Sequence, residues 1–219
     1  MQPIIGSAAV RRGELSRRGL VRARAAWLAT GATLVGVSAA AVHGTKWLDG
    51  SAPAEIVRPD RHAAAGLVVH SWALGADEVC VVGGVDVTTA ARTAFDIGRT
   101  RDATQANPIL DALFNSTGLK HGDVSAVADA HPGVRGVASL RAMLPNVDGG
   151  AESPQETRLR LILVAAGLPR PETQIRFPEL HVRVDMGWRE WKVAVEYDGV
   201  QHWADPRQRS WDIERIALL

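Results

Sequence analysis

The chain has 219 residues, with 25 basic against 24 acidic side chains, a net charge of +1 and 46% hydrophobic content. That is room for one large or two small globular domains, and the overall charge singles out no polyanionic partner. The single cysteine, Cys80, excludes an internal disulfide framework and fits a reducing, cytoplasmic compartment.

The charge is uneven along the chain. Residues 1–24 carry six arginines and one acid, Glu14. Arg17, Arg18, Arg22 and Arg24 are candidate phosphate contacts; a solvated N-terminal stretch is the alternative. Residues 25–42 are uncharged but rich in Ala, Gly, Thr and Ser. A bilayer span needs about 20 predominantly apolar residues, so the stretch reads as two short segments rather than a membrane helix. The first is expected as a helix over 21–29. The second covers 38–43 and is ended by His43-Gly44.

Short β-branched runs at 54–58, 66–70, 78–82 and 85–89 predict a small sheet. Cys80 lies inside one of them and reads as a buried apolar residue. Thr89 is a helix N-cap for 89–97. From 102 to 144 the spacing predicts three short helices, with breaks at Gly118, His121-Gly122 and His131-Pro-Gly133. Pro145 to Gly150, Pro-Asn-Val-Asp-Gly-Gly, reads as a linker. A boundary is therefore expected at 146/147.

Beyond it, Ser153-Pro-Gln-Glu156 has the form of a capped helix start. The helix is expected to reach about 166, with Leu159, Ile162, Leu163 and Ala166 as its apolar stripe. Strands are expected at 173–177, 181–187 and 191–198, and a last helix at 205–219. The order helix, strand, strand, strand, helix gives an α/β (α+β) class.

Chemistry concentrates in Val193-Ala-Val-Glu-Tyr-Asp-Gly-Val-Gln-His-Trp203. Glu196 and Asp198 share a strand face. Asp185 lies eleven residues before Glu196, so a hairpin sets the two side by side, about 5 Å apart across the ladder. Opposed like charges destabilise a sheet, and a bound cation is one reason to tolerate them. Val193 to Val195 show no polar face, as in a central strand covered on both sides. His202 is a candidate general base, and Trp203 a candidate stacking residue for a base. The competing reading is a solvated rim, with Arg183, Arg189 and Lys192 as ion-pair partners and His202 as a helix cap. No two histidines have zinc-ligand spacing.

Ser-Pro-x-Glu opening a helix, then Val-Asp-Met-Gly-Trp, then Val-Glu-Tyr-Asp-Gly-x-Gln-His, resembles the very-short-patch-repair-like (Vsr-like) endonuclease domains of the PD-(D/E)XK nuclease superfamily. The resemblance covers residues 152–219. It implies an incomplete restriction-endonuclease-like αβββα core over 147–219, with Mg²⁺ or Mn²⁺ as cofactor and DNA as ligand. Asp185 and Glu196 are the implied metal ligands, with Asp198, His202 and Glu156 as further catalytic positions. Asp198 stands where many relatives carry lysine. Upstream, Trp27-Leu-Ala-Thr, the 36–47 run and Thr88-Thr-Ala-Ala-Arg-Thr-Ala-Phe-Asp96 resemble AbiEi antitoxin-related proteins. This assigns 1–146 to an AbiEi-like region and brings in a toxin or an operator as a partner. Together the resemblances imply a chain truncated at both ends, the endonuclease one at the C-terminus and the AbiEi one at the N-terminus. The alternatives to an endonuclease are a non-catalytic DNA-binding regulator and an inactive fragment.

Overall fold

The computed structural model describes residues 7–59 and 65–197, with side chains from residue 17 onward. The chain forms two units, Arg11–Pro154 and Gln155–Leu219 together with Met1–Val10. Seven helices and two sheets among the described residues make it an α/β protein.

In the first unit, α1 (Ser7–Thr30) runs for 24 residues, well beyond the expected 21–29. Its stretch is dominated by alanine and arginine, both good helix formers, and no proline interrupts it. Ala23 and Ala26 are buried among its described side chains. β1 (Thr33–Leu34) is two residues long, and α2 (Gly36–Val42) follows it. Then come β2 (Ala54–Val57), β3 (Leu67–His70), β4 (Val79–Val82) and β5 (Val85–Thr88). The sheet order is β3-β2-β1-β5-β4, with β1 parallel to β5 and antiparallel to β2. Leu34, Ile56 and Val87 are fully enclosed and pack with the α1 alanines. Sequence patterning missed β1, because two residues cannot display a period.

Four helices complete this unit: α3 (Ala90–Thr100), α4 (Ala103–Thr117), α5 (His121–Ala130) and α6 (Val137–Met143). Their core joins Phe95, Ile97, Leu110, Leu113, Val124 and Leu140. Thr89 caps α3 by accepting from the Arg92 amide, and left-handed Gly118 ends α4. His121-Gly122, expected as a break, instead opens α5. The Asp123 carboxylate accepts from the Lys120 amide, and this satisfies the start of the helix. The stretch from Pro145 to Gly150 is not a free tether. Val147 is fully buried, the Asp148 amide donates to Asp111 at 2.7 Å, and Asn115 donates to the Gly149 carbonyl.

The second unit contains α7 (Pro154–Ala165), β6 (Glu172–Phe177), β7 (Val182–Trp188) and β8 (Val193–Val195). The strands form an antiparallel sheet ordered β6-β7-β8. Ile175, Val182 and Val184 are its apolar core, with Phe177 and Leu180 against them. Two expectations are corrected here. α7 buries Glu156, Thr157 and Arg160, while Ile162 of the expected stripe is 64% exposed. The buried face is the polar one because Glu156 meets a hydrogen-bond donor from the sheet. β8, expected to be covered on both sides, is an edge strand among the described residues, with Val193 44% exposed. Among the described residues no helix is long and apolar enough to cross a membrane.

Candidate functional site

Asp185 sits on the central strand of the small sheet. On β7 the inward residues are Val182, Val184 and Met186, all buried, so alternation puts Arg183, Asp185 and Gly187 on the other face. Met186, Gly187 and Trp188 pair with Val195, Ala194 and Val193. Continuing that register by one step sets Asp185 opposite Glu196. The hairpin between them is tight: the Trp191 amide donates to the Trp188 carbonyl and the Lys192 amide to the Arg189 carbonyl. One Asp185 carboxylate oxygen accepts from the Tyr197 amide at 3.0 Å. Asp185 therefore also fixes the path of the chain just past β8. Arg189 pairs with Glu172 at 3.0 Å rather than with either acid of this rung.

On the other side of Asp185 lies a residue that sequence reasoning did not single out. Thr173 pairs with Met186 and Ile175 with Val184; between them the ladder skips a rung, and there Gln174 faces Asp185. Gln174 has φ +52, a left-handed conformation that few non-glycine residues adopt. Its Nε2 donates to Glu156 Oε2 at 3.3 Å. Its Oε1 is buried with no hydrogen-bond partner among the described residues. Gln174, Asp185 and Glu196 thus occupy one cross-strand row of backbone positions, and the Gln174 side chain is tied to Glu156 of α7. Nothing in sequence spacing distinguishes Gln174 from any polar strand residue. The one available signal was the hairpin arithmetic that places 174 across from 185.

Asp198, His202 and Trp203 lie outside the described residues. Among the described residues no group of three or more His, Cys, Asp and Glu is close enough to hold a metal ion. The donors of the row are two carboxylates and a carboxamide oxygen, all hard oxygens. Mg²⁺ commonly binds through one or two carboxylates and completes its shell with water and substrate phosphate, so this donor set fits that ion and Mn²⁺.

The arginines proposed as phosphate contacts fall on α1. Arg17, Arg18 and Arg24 are exposed, and Arg22 donates to the Ser51 carbonyl at 3.1 Å. Exposed Val21 and Leu28 share the face of Arg17 and Arg24.

The run Thr88 to Asp96 builds a different cluster, in the first unit. Arg92 of α3 is buried and binds Glu78, Asp96 Oδ2 at 2.9 Å and the Ala73 carbonyl at 3.2 Å. His131, expected as a turn residue, holds the other Glu78 oxygen at 2.6 Å. Arg99 binds Asp96 Oδ1 and lies over Trp72. Trp72 in turn stacks on His70, which meets Glu55 at 3.0 Å. Arg101 closes on the other Glu55 oxygen at 2.6 Å. Burial works to raise the Glu55 carboxyl, but His70 and Arg101 outweigh it and hold it below its ordinary value. Glu78 behaves alike, with burial outweighed by the Gly75 amide, His131 and Arg92. For Asp96 burial prevails over both arginines and pushes the carboxyl up. Every charge in this cluster has a partner inside the fold. We read the cluster as the clamp that seats α3 on the sheet, not as a site for a ligand. His43 likewise makes a backbone bond, to Thr88.

No protein-family model matches the chain, and no solved structure matches it. Two uncharacterized proteins of Mycobacterium tuberculosis are similar to it, one from strain CDC 1551 / Oshkosh and one from strain ATCC 25618 / H37Rv. Each is 33% identical over 160 residues, which cover 70% of this chain and 57% of the relative. The chain thus spans little more than half the length of the curated relatives it matches.

Proposed function

We propose that the unit beginning at Gln155 is a divalent-cation-dependent DNA endonuclease domain of the PD-(D/E)XK type, Vsr-like in its motifs. The observation that supports this best is the cross-strand row. Asp185 of β7 and Glu196 just past β8 are brought side by side by the hairpin register, on the row of positions that also holds Gln174, whose carboxamide oxygen is buried. Asp185 and Glu196 would hold Mg²⁺ or Mn²⁺, with Glu156 behind them. When bound, the cation supplies Lewis-acid stabilisation of a phosphoryl oxygen and lowers the pKa of a coordinated water. The chain's own part is geometric. The ladder fixes the separation of the two acids, and the Tyr197 amide orients Asp185. Asp198 and His202 are the proposed assisting groups, His202 as the base toward the attacking water. The exposed arginines of α1, with Trp203, would contact DNA.

The test is nicking of supercoiled plasmid with Mg²⁺ or Mn²⁺ by the wild-type chain and by Glu196→Ala. Loss of at least 100-fold in rate, about 2.7 kcal/mol in barrier, is expected for the variant. Equal nicking by both, or none by either, contradicts the reading. One observation favours a second reading, a DNA-binding regulator of the antitoxin kind without chemistry. Asp185 already has a structural partner in Tyr197, while the α1 arginines stay exposed. Retention on DNA that weakens with salt, without cleavage, would support it. A toxin protein or an operator would then be the partner.

A further inference from the structure

We propose that Gln174 assembles this site: it holds Glu156 in place through Nε2 and offers Oε1 as a neutral oxygen ligand to the divalent cation. The inference rests on the cation-dependent reading above. Two costs coincide at this one residue. Its φ of +52 is a conformation that glycine and, less readily, Asn and Asp adopt, and that a long L side chain avoids. Its Oε1 is enclosed without a hydrogen-bond donor among the described residues, which a folded chain seldom tolerates. Backbone strain of this sort persists where the surrounding structure imposes it, and it gathers at ligand sites. Here it falls at the single rung that the β6–β7 ladder skips, opposite Asp185.

The side-chain chemistry matches that place. A carboxamide has both a donor and an acceptor. The donor end satisfies Glu156 at 3.3 Å, and the acceptor end remains for a cation. A glutamate here would set a further negative charge against Glu156, Asp185 and Glu196. An apolar residue would leave Glu156 without this donor. A neutral oxygen adds to the coordination shell without adding to that repulsion.

The test is thermal unfolding of the full chain across a Mn²⁺ titration, because a ligand bound only by the folded state raises Tm with the logarithm of its concentration relative to Kd. Gln174→Asn keeps the carboxamide and tolerates the left-handed backbone, but it is one methylene too short. It is expected to need at least tenfold more Mn²⁺ for the same rise in Tm. Gln174→Gly, which the backbone conformation accommodates freely, is expected to show the same loss and serves if the first variant does not fold. A side chain with a merely structural role would lower Tm without Mn²⁺ and leave the Mn²⁺ dependence unchanged. That outcome overturns the role of Gln174 and leaves the endonuclease reading standing. A wild-type Tm that ignores Mn²⁺ overturns both.

Discussion

Arg92 is 2% exposed, and its guanidinium is shared between Glu78 and Asp96. Removing one member of a buried ion network leaves the others charged and unsolvated, at a cost of about 3–5 kcal/mol. Arg92→Ala is therefore expected to lose that much in urea unfolding. A change under about 1 kcal/mol, the size of an exposed pair, would mean that the cluster is solvated. Acid sensitivity follows from the same groups. Glu55 and Glu78 are held below their ordinary value of 4.5, so their stabilisation is complete above that pH. It is lost as pH falls through their folded values. Asp96 is raised above 3.8, so its contribution runs the other way and is lost as pH rises. Tm recorded from roughly pH 3 to 7 is expected to fall on the acid side. Glu55→Gln should flatten that fall, and Asp96→Asn should steepen it. An acid limb identical in all three proteins would contradict these assignments. At this scale the sequence was informative about acids and reticent about their partners. The eleven-residue spacing from Asp185 to Glu196 is readable because a hairpin has a fixed period. The bond from His131 to Glu78 spans 53 residues, and no local pattern encodes it.

Among the elements, the hairpin of β7 and β8 carries the candidate site, and Gly187 controls it. A Cβ at Gly187 would come within 2.2 Å of the Val193 carbonyl oxygen. That atom belongs to backbone, so the strands would have to part. Gly187→Ala is expected to expose the amides of Val193–Val195 to rapid hydrogen exchange and to abolish any Mn²⁺-dependent rise in Tm. Unchanged protection of those amides would show that the pairing does not depend on this contact. The three strands were legible here because β7 alternates over its first five residues: Val182, Val184 and Met186 go inward. The buried face of α7 was not. Helical spacing of Leu159, Ile162 and Leu163 pointed to one face, while burial fell on Glu156, Thr157 and Arg160, and Glu156 takes a hydrogen bond from Gln174 of the sheet. Tertiary hydrogen bonding overrode the local pattern there. In the first unit the same limit hid β1, whose two residues lie at the middle of a five-stranded sheet and owe their conformation to their neighbours.

For the molecule as a whole, the near-balanced charge hides an arginine-bearing helix and a hairpin that sets Asp185 opposite Glu196. If α1 meets DNA, each arginine that contacts a phosphate steepens the dependence of affinity on salt by about 0.9 in log–log slope. Replacing Arg17, Arg18 and Arg24 together by glutamine is expected to flatten that slope by up to about 2.7. An unchanged slope would remove α1 from the interface. The α/β class was readable from the succession of helical and strand-like runs. The chemistry rests on whether Asp185 and Glu196 share a cation. Calorimetric titration of Mn²⁺ into the wild-type chain, Asp185→Asn and Glu196→Gln tests this most directly. Saturable uptake is expected for the wild type, with a loss of at least tenfold in affinity, about 1.4 kcal/mol, in each variant. Uptake that survives both substitutions, or no uptake by the wild type, would contradict it.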